Sequence, residues 1–132
     1  MDYPVITMTY TAQDDGTPTS NWTYTNKDKV AEMTIKSSIL GVSDKQNYQL
    51  STTVILPNKK KIVKIIDLNK NRFDGGANML EPHKFVVDSS MKVNVPLAEG
   101  LFKVQVRLLQ KRKAVANGKT YFYCRNISHK TE

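Results

Sequence analysis

Cys124 is the only cysteine in the sequence. A lone thiol closes no internal bridge, so a disulfide scaffold is excluded. Histidine is almost as scarce, with His83 and His129 the two copies. Zinc needs three or four soft ligands held together, and Cys124, His129 and a distant His83 do not supply that spacing. Long apolar runs are missing too. No stretch approaches the roughly 18 residues of a membrane-spanning helix. The start, MDYPVITMTY, has no basic segment followed by an apolar one. The expectation is a soluble chain without an export signal: cytoplasmic, or secreted or virion-associated if a signal has been removed. Helical periodicity is also lacking, apart from a possible single turn at 97–101. With no helix behind a glycine-rich loop, the nucleotide-phosphate motifs have no context.

What the sequence does have is alternation with a period of two. Ile6, Met8 and Tyr10 alternate with Thr7 and Thr9, and Met33, Ile35 and Ile39 with Thr34 and Lys36. The clearest pattern is Phe102, Val104, Val106 and Leu108 against Lys103, Gln105 and Arg107. These phases predict seven strands, near 4–11, 29–40, 47–57, 61–68, 84–95, 101–109 and 119–126. Turn compositions separate most of them: DDGTP (14–18), GVSDKQ (41–46), PNKK (57–60), DGGAN (74–78) and NG (117–118). NWTYTN, with Trp22 and Tyr24 in alternation, is either an extra edge strand or a loop across one end of the core. Many short strands without intervening helices predict an all-β fold, a seven-stranded antiparallel β-sandwich with an apolar face on each sheet. A chain of 132 residues fits one domain spanning 1–132, with 128–132 frayed.

The segment PLAEGLFKVQV (96–106) resembles a corner of immunoglobulin-like and fibronectin-III-like sandwiches. There, a leucine and a tight glycine turn precede an aromatic that opens the sixth strand; here they are Leu97, Gly100 and Phe102. The corner aromatic is usually Tyr, whose hydroxyl bonds back to the backbone. Phe102 has no hydroxyl, and the paired cysteines of antibody-type domains are absent. The resemblance implies a fold and no function. It also implies that loops 41–46, 69–83 and 110–118 gather at one end, with loops 12–28, 57–61 and 96–100 at the other.

The formal net charge is +8. A basic surface suits a polyanion, and it equally keeps a sandwich soluble and its edges unpaired. The first loop end collects the candidate binding residues Lys70, Arg72, Lys111, Arg112, Lys113 and Lys119, with Lys45 beside them. Candidate aromatic contacts are Trp22, Tyr121 and Tyr123. If Phe122 faces the core, both tyrosines are exposed beside the basic loop.

Other constellations fail on spacing. Asp67-Leu68-Asn69-Lys70-Asn71 opens like a calcium loop, but Arg72 stands where the sharp turn needs Gly, and Asn78 where a bidentate acid is needed. Asp14-Asp15 has a turn composition, and neighbouring strand residues point to opposite faces. Asn21-Trp22-Thr23 and Asn126-Ile127-Ser128 match the glycosylation pattern by chance. No cofactor or metal is expected. The sequence points to a non-catalytic module that binds another protein through loops or an edge strand. It would be an accessory, surface or phage-tail assembly subunit, or an inhibitor. The alternative is a nucleic-acid or other polyanion binder using the basic loop end. An enzyme ranks third, for want of a converging acid, base and nucleophile.

Overall fold

The computed structural model describes residues 4–68 and 77–128. Its strands are β1 (Val5–Ala12), β2 (Asn21–Tyr24), β3 (Val30–Ser43), β4 (Tyr48–Ile55), β5 (Lys61–Leu68), β6 (Ala77–Glu81), β7 (Lys84–Pro96), β8 (Gly100–Gln110) and β9 (Lys113–Asn126). They form a four-stranded sheet in the order β1-β3-β7-β6 and a five-stranded sheet in the order β2-β9-β8-β4-β5. All pairings are antiparallel except β2 with β9. Among the described residues there is no α-helix.

The core lies between the sheets, where the alternation placed it. Met33, Ile35, Ile39, Met91, Val93 and Val95 enter from the four-stranded sheet. Leu50, Val54, Val104, Val106, Leu108 and Phe122 meet them from the five-stranded sheet. Phe102 and Phe122 are cross-strand partners whose rings stack at 4.7 Å and 12°. Each fully buried ring contributes roughly 1.5–3 kcal/mol over an exposed one. The expected corner is therefore held by packing. Leu97 packs on the core and Phe102 is wholly buried. Gly100, at φ 138°, lies so near Pro57 that an added Cβ would sit 2.9 Å from that ring.

Among the described residues, nine strands replace the seven expected. β2 and β6 are the additions, both short and at sheet edges. β6 begins at Ala77, so the last two residues of DGGAN are strand; residues 74–76 lie outside the described residues. The turn expected at 41–46 falls at 44–47 instead, because Gly41 (φ 87°) bulges β3 and lets it run on to Ser43.

The last hairpin departs most from expectation. Asn117-Gly118 is not its turn. Lys111 and Arg112 form the two-residue tip, and Asn117 and Gly118 pair with Arg107 and Val106 inside the ladder. A register shift leaves Val115 as the extra residue between Ala114, opposite Leu109, and Ala116, opposite Leu108. That bulge absorbs the break in apolar phase at Leu108-Leu109. Gly118 serves a different purpose. A Cβ there would meet Thr9 Oγ1 at 2.5 Å and Ile6 Cγ2 at 2.7 Å, so its missing side chain lets β1 approach β9. Ile6 and Thr9 lie against Gly118, while Thr11 accepts from Thr19 N and the adjoining Ser20 accepts from Tyr123 N, so β1 runs alongside β9 in the same direction.

Candidate functional site

The hairpin tips gather as the fold analogy implied. Gln110 donates to Gln46 at 2.8 Å, and His83 Nδ1 lies 3.2 Å from Asp44 Oδ1. Lys45, Lys111 and Arg112 line a depression of about 330 Å³ there, together with Asp67. Lys113 follows as the first residue of β9. Lys70 and Arg72 lie outside the described residues. Lys119 is not part of this end. It sits within β9, opposite Gln105.

Lys111 and Arg112 have φ of 52° and 68°, the left-handed values a two-residue hairpin turn demands at both central positions. Asn and Gly adopt that conformation most cheaply. Lys59 and His83, at φ 74° and 65°, occupy the same region at two other hairpin tips.

A larger basic surface lies on the outer face of the five-stranded sheet. Pairing across β5, β4, β8 and β9 sets its rows. Lys61, Ile55, Lys103 and Tyr121 form one row; Val63, Thr53, Gln105 and Lys119 form the next; Ile65, Ser51, Arg107 and Asn117 form a third. Neighbours in a row stand about 4.8 Å apart, and successive rows lie about 6.7 Å apart along each strand. Tyr123 and Arg125 extend the face along β9, with the Arg125 guanidinium 5.8 Å from the Tyr123 ring centre. Lys61, Lys103, Arg107, Lys119 and Arg125 therefore share one face, with Asp67 an acid at one corner and Glu99, which accepts from Asn126 N, at the end that carries Arg125. None of the five cations is ion-paired among the described residues.

The opposite face of the sandwich differs. Lys36 and Lys92 are balanced there by Glu32 and Asp88, and Lys92 lies 3.8 Å from Glu32. Both sheets leave apolar groups in water: Met8, Val30 and Met79 on the four-stranded sheet, and a further set on the outer face of the five-stranded sheet. Val63 is 56% exposed, Ile65 52% and Leu101 57%, alongside Tyr121 at 44% and Tyr123 at 37%. Two depressions mark the face. One, of about 560 Å³, has Ile55, Leu101 and Tyr121 beneath a rim of Lys59, Lys61 and Lys103. The other, of about 400 Å³, is lined by Gln105, Arg107, Asn117 and Lys119.

Burial of Phe122 does expose both tyrosines. They are not beside the basic tip, because β9 begins at Lys113 and carries them toward the other end of the sheet. Trp22 belongs to the core side. It pairs with Cys124, packs against the core cluster, and keeps its Nε1 buried without a hydrogen-bond partner among the described residues. The cations Lys61, Lys103, Arg107 and Arg125 were not singled out from sequence. Their signal was the polar phase of β5, β8 and β9, which gains meaning only once those strands are ordered in one sheet.

The other candidate chemistry has structural explanations. Asp67 accepts from Gln49 Nε2 at 3.2 Å across the β4–β5 ladder. Asp15 accepts from Thr17 N at 2.9 Å in the turn, and that bond holds its carboxyl below the ordinary value. Burial pushes the Cys124 thiol up to about 11. His129 lies outside the described residues, and among those described no cluster of metal-ligating side chains occurs.

Two packed sheets of antiparallel strands with a glycine corner make this chain an immunoglobulin-like β-sandwich, a likeness of fold without a specific family. No protein-family model and no curated protein matches the sequence. Among solved structures, a bacterial adhesin from Mobiluncus mulieris containing disulfide, isopeptide and ester cross-links is similar, with TM-score 0.58 and 10% identity. The similarity covers 94% of this chain and 58% of the adhesin. A glycosyl hydrolase family 2 member from Bacteroides cellulosilyticus is similar with TM-score 0.53 and 18% identity, over 95% of this chain and 16% of the hydrolase. The chain thus spans less than two-thirds of either protein.

Proposed function

We propose that this chain is a non-catalytic interaction module whose recognition surface is the outer face of the five-stranded sheet. One observation carries the reading: unpaired cations are concentrated on that face, beside exposed apolar side chains, while charges on the other face are matched. A surface that only kept the molecule in solution would not need Val63, Ile65, Leu101 and Tyr121 in water beside it. Both similar structures are larger chains that contain a unit of this fold, one of them an adhesin, which supports an accessory or surface-assembly role. Among the described residues β5 pairs only with β4, and its other edge, eight residues long, is one at which an extended partner segment would continue the sheet.

A photo-crosslinking side chain placed at position 65, 103 or 121 should form adducts in extracts of the producing cells. The same group at position 36 or 90, on the opposite face, should not. Adducts arising equally from both faces would sink the reading.

The basic hairpin end supports a second reading. Lys111 and Arg112 hold left-handed backbone that Asn-Gly adopts more cheaply, and such a cost is tolerated where the side chains serve a purpose. Polyanion binding lost on changing Lys111, Arg112 and Lys113 to Gln, and retained when the face is changed, would favour it.

A further inference from the structure

The chemistry of the face points to the kind of ligand it takes. This inference rests on the face being the recognition surface. Its cations are separated by neutral hydrogen-bonding groups. Gln105 lies between Lys103 and Arg107 on β8, and Thr53 and Ser51 continue the same rows on β4. Asn117 stands beside Arg107. A partner that places an anionic group among many hydroxyls matches that spacing. A partner whose polar groups are all charged, with no hydroxyls between them, would meet amides and hydroxyls where it needs cations.

The aromatic groups narrow the class. The Arg125 guanidinium already lies over Tyr123, which leaves Tyr121 as the unengaged ring. Tyr121 shares its depression with Ile55 and Leu101, under Lys59, Lys61 and Lys103. One free ring on an apolar floor with a cationic rim suits the C–H face of a sugar whose ring carries a carboxylate or sulfate. Successive bases of a single-stranded nucleic acid would need a series of free rings. The second depression, between Arg107, Lys119, Gln105 and Asn117, lies further along the same face and offers a place for a later sugar of the same polymer. We propose that the outer face of the five-stranded sheet binds a linear acidic polysaccharide, with Tyr121 under one sugar ring and Lys61, Lys103, Arg107 and Lys119 holding its anionic groups.

The test measures binding of the whole chain to polygalacturonate, heparin, neutral dextran and oligothymidylate at low and at near-physiological salt. The expected result is binding to at least one acidic glycan that weakens as salt rises, with none to dextran. Changing Lys103, Arg107 and Lys119 to Gln should weaken that binding by roughly tenfold. Tyr121→Ala should weaken it several-fold, and changing Lys111, Arg112 and Lys113 to Gln should leave it within about twofold. If the triple face variant does not fold, Lys103→Gln and Arg107→Gln singly carry the comparison. Absence of glycan binding at low salt, tighter binding of oligothymidylate, or an equal loss in the tip variant would each overturn the assignment. Persisting adducts from position 103 without glycan binding would remove the ligand class alone; adducts equal on both faces would remove the face itself.

Discussion

Lys111 and Arg112 show how a residue can stand out in a sequence for one reason and be placed by the fold for another. In the chain they read as a basic run. In the structure they are the two central residues of a tight turn, at φ of 52° and 68°. Replacing them with Asn and Gly should raise the unfolding free energy by about 0.5–1.5 kcal/mol, since both favour left-handed backbone. Urea denaturation would measure the gain. Cys124 gives a second residue-scale prediction. Its thiol is fully buried, and desolvation lifts its pKa from 9.0 to about 11. The folded state therefore holds that proton more tightly than the unfolded chain does. The associated stability is present below the unfolded pKa and is lost as pH rises through the folded one. The stability difference between the native chain and Cys124→Ala should narrow from about pH 8 to about pH 11 in denaturant titrations. A constant difference would mean that the thiol titrates alike in both states.

Elements that bury one face were legible in the sequence, and elements that bury neither were not. β4, β7 and β8 alternate between buried and more accessible positions over most of their length, and their expected limits come within a few residues of those observed. β6 exposes both Met79 and Leu80, so no period of two marks it. Asn117-Gly118 carries the composition of a turn, but the Val115 bulge and the need for β1 to pass close to β9 place it inside a strand. β2 has only four residues and, among the described residues, pairs only with β9. Its attachment rests on Trp22 and Tyr24 packing against the core. The Trp22 ring helps that attachment, while its unpaired N–H works against it. Trp22→Phe removes the donor and keeps most of the ring, so it should change stability by less than about 1 kcal/mol. Trp22→Ala should cost about 2–4 kcal/mol and speed amide exchange along β2. Equal losses in the two variants would show that the indole N–H has a partner after all.

At the scale of the molecule, the net charge of +8 is visible in the composition, and its concentration on one face is not. Lys61, Lys103 and Lys119 are distant in sequence and become neighbours only because β5, β4, β8 and β9 lie in that order. Alternation assigns side chains to one face or the other of a strand, but it leaves the order of strands open. Like charges held within a Debye length repel, so added salt should stabilise the fold. The melting temperature should rise between about 10 and 150 mM sodium chloride, and rise less in the variant with Lys103, Arg107 and Lys119 changed to Gln. A melting temperature indifferent to salt would mean the cations are already neutralised. One further property follows from the course of β1 beside β9. Because the two point the same way, the start of β1 and the finish of β9 lie at opposite poles of the sandwich. Tension transmitted through those strands pulls lengthwise, so the β1–β3 and β8–β9 ladders bear the load in shear and their bonds must yield together. Stretched along that line, the unit would tear abruptly where a peeling hairpin would unzip bond by bond.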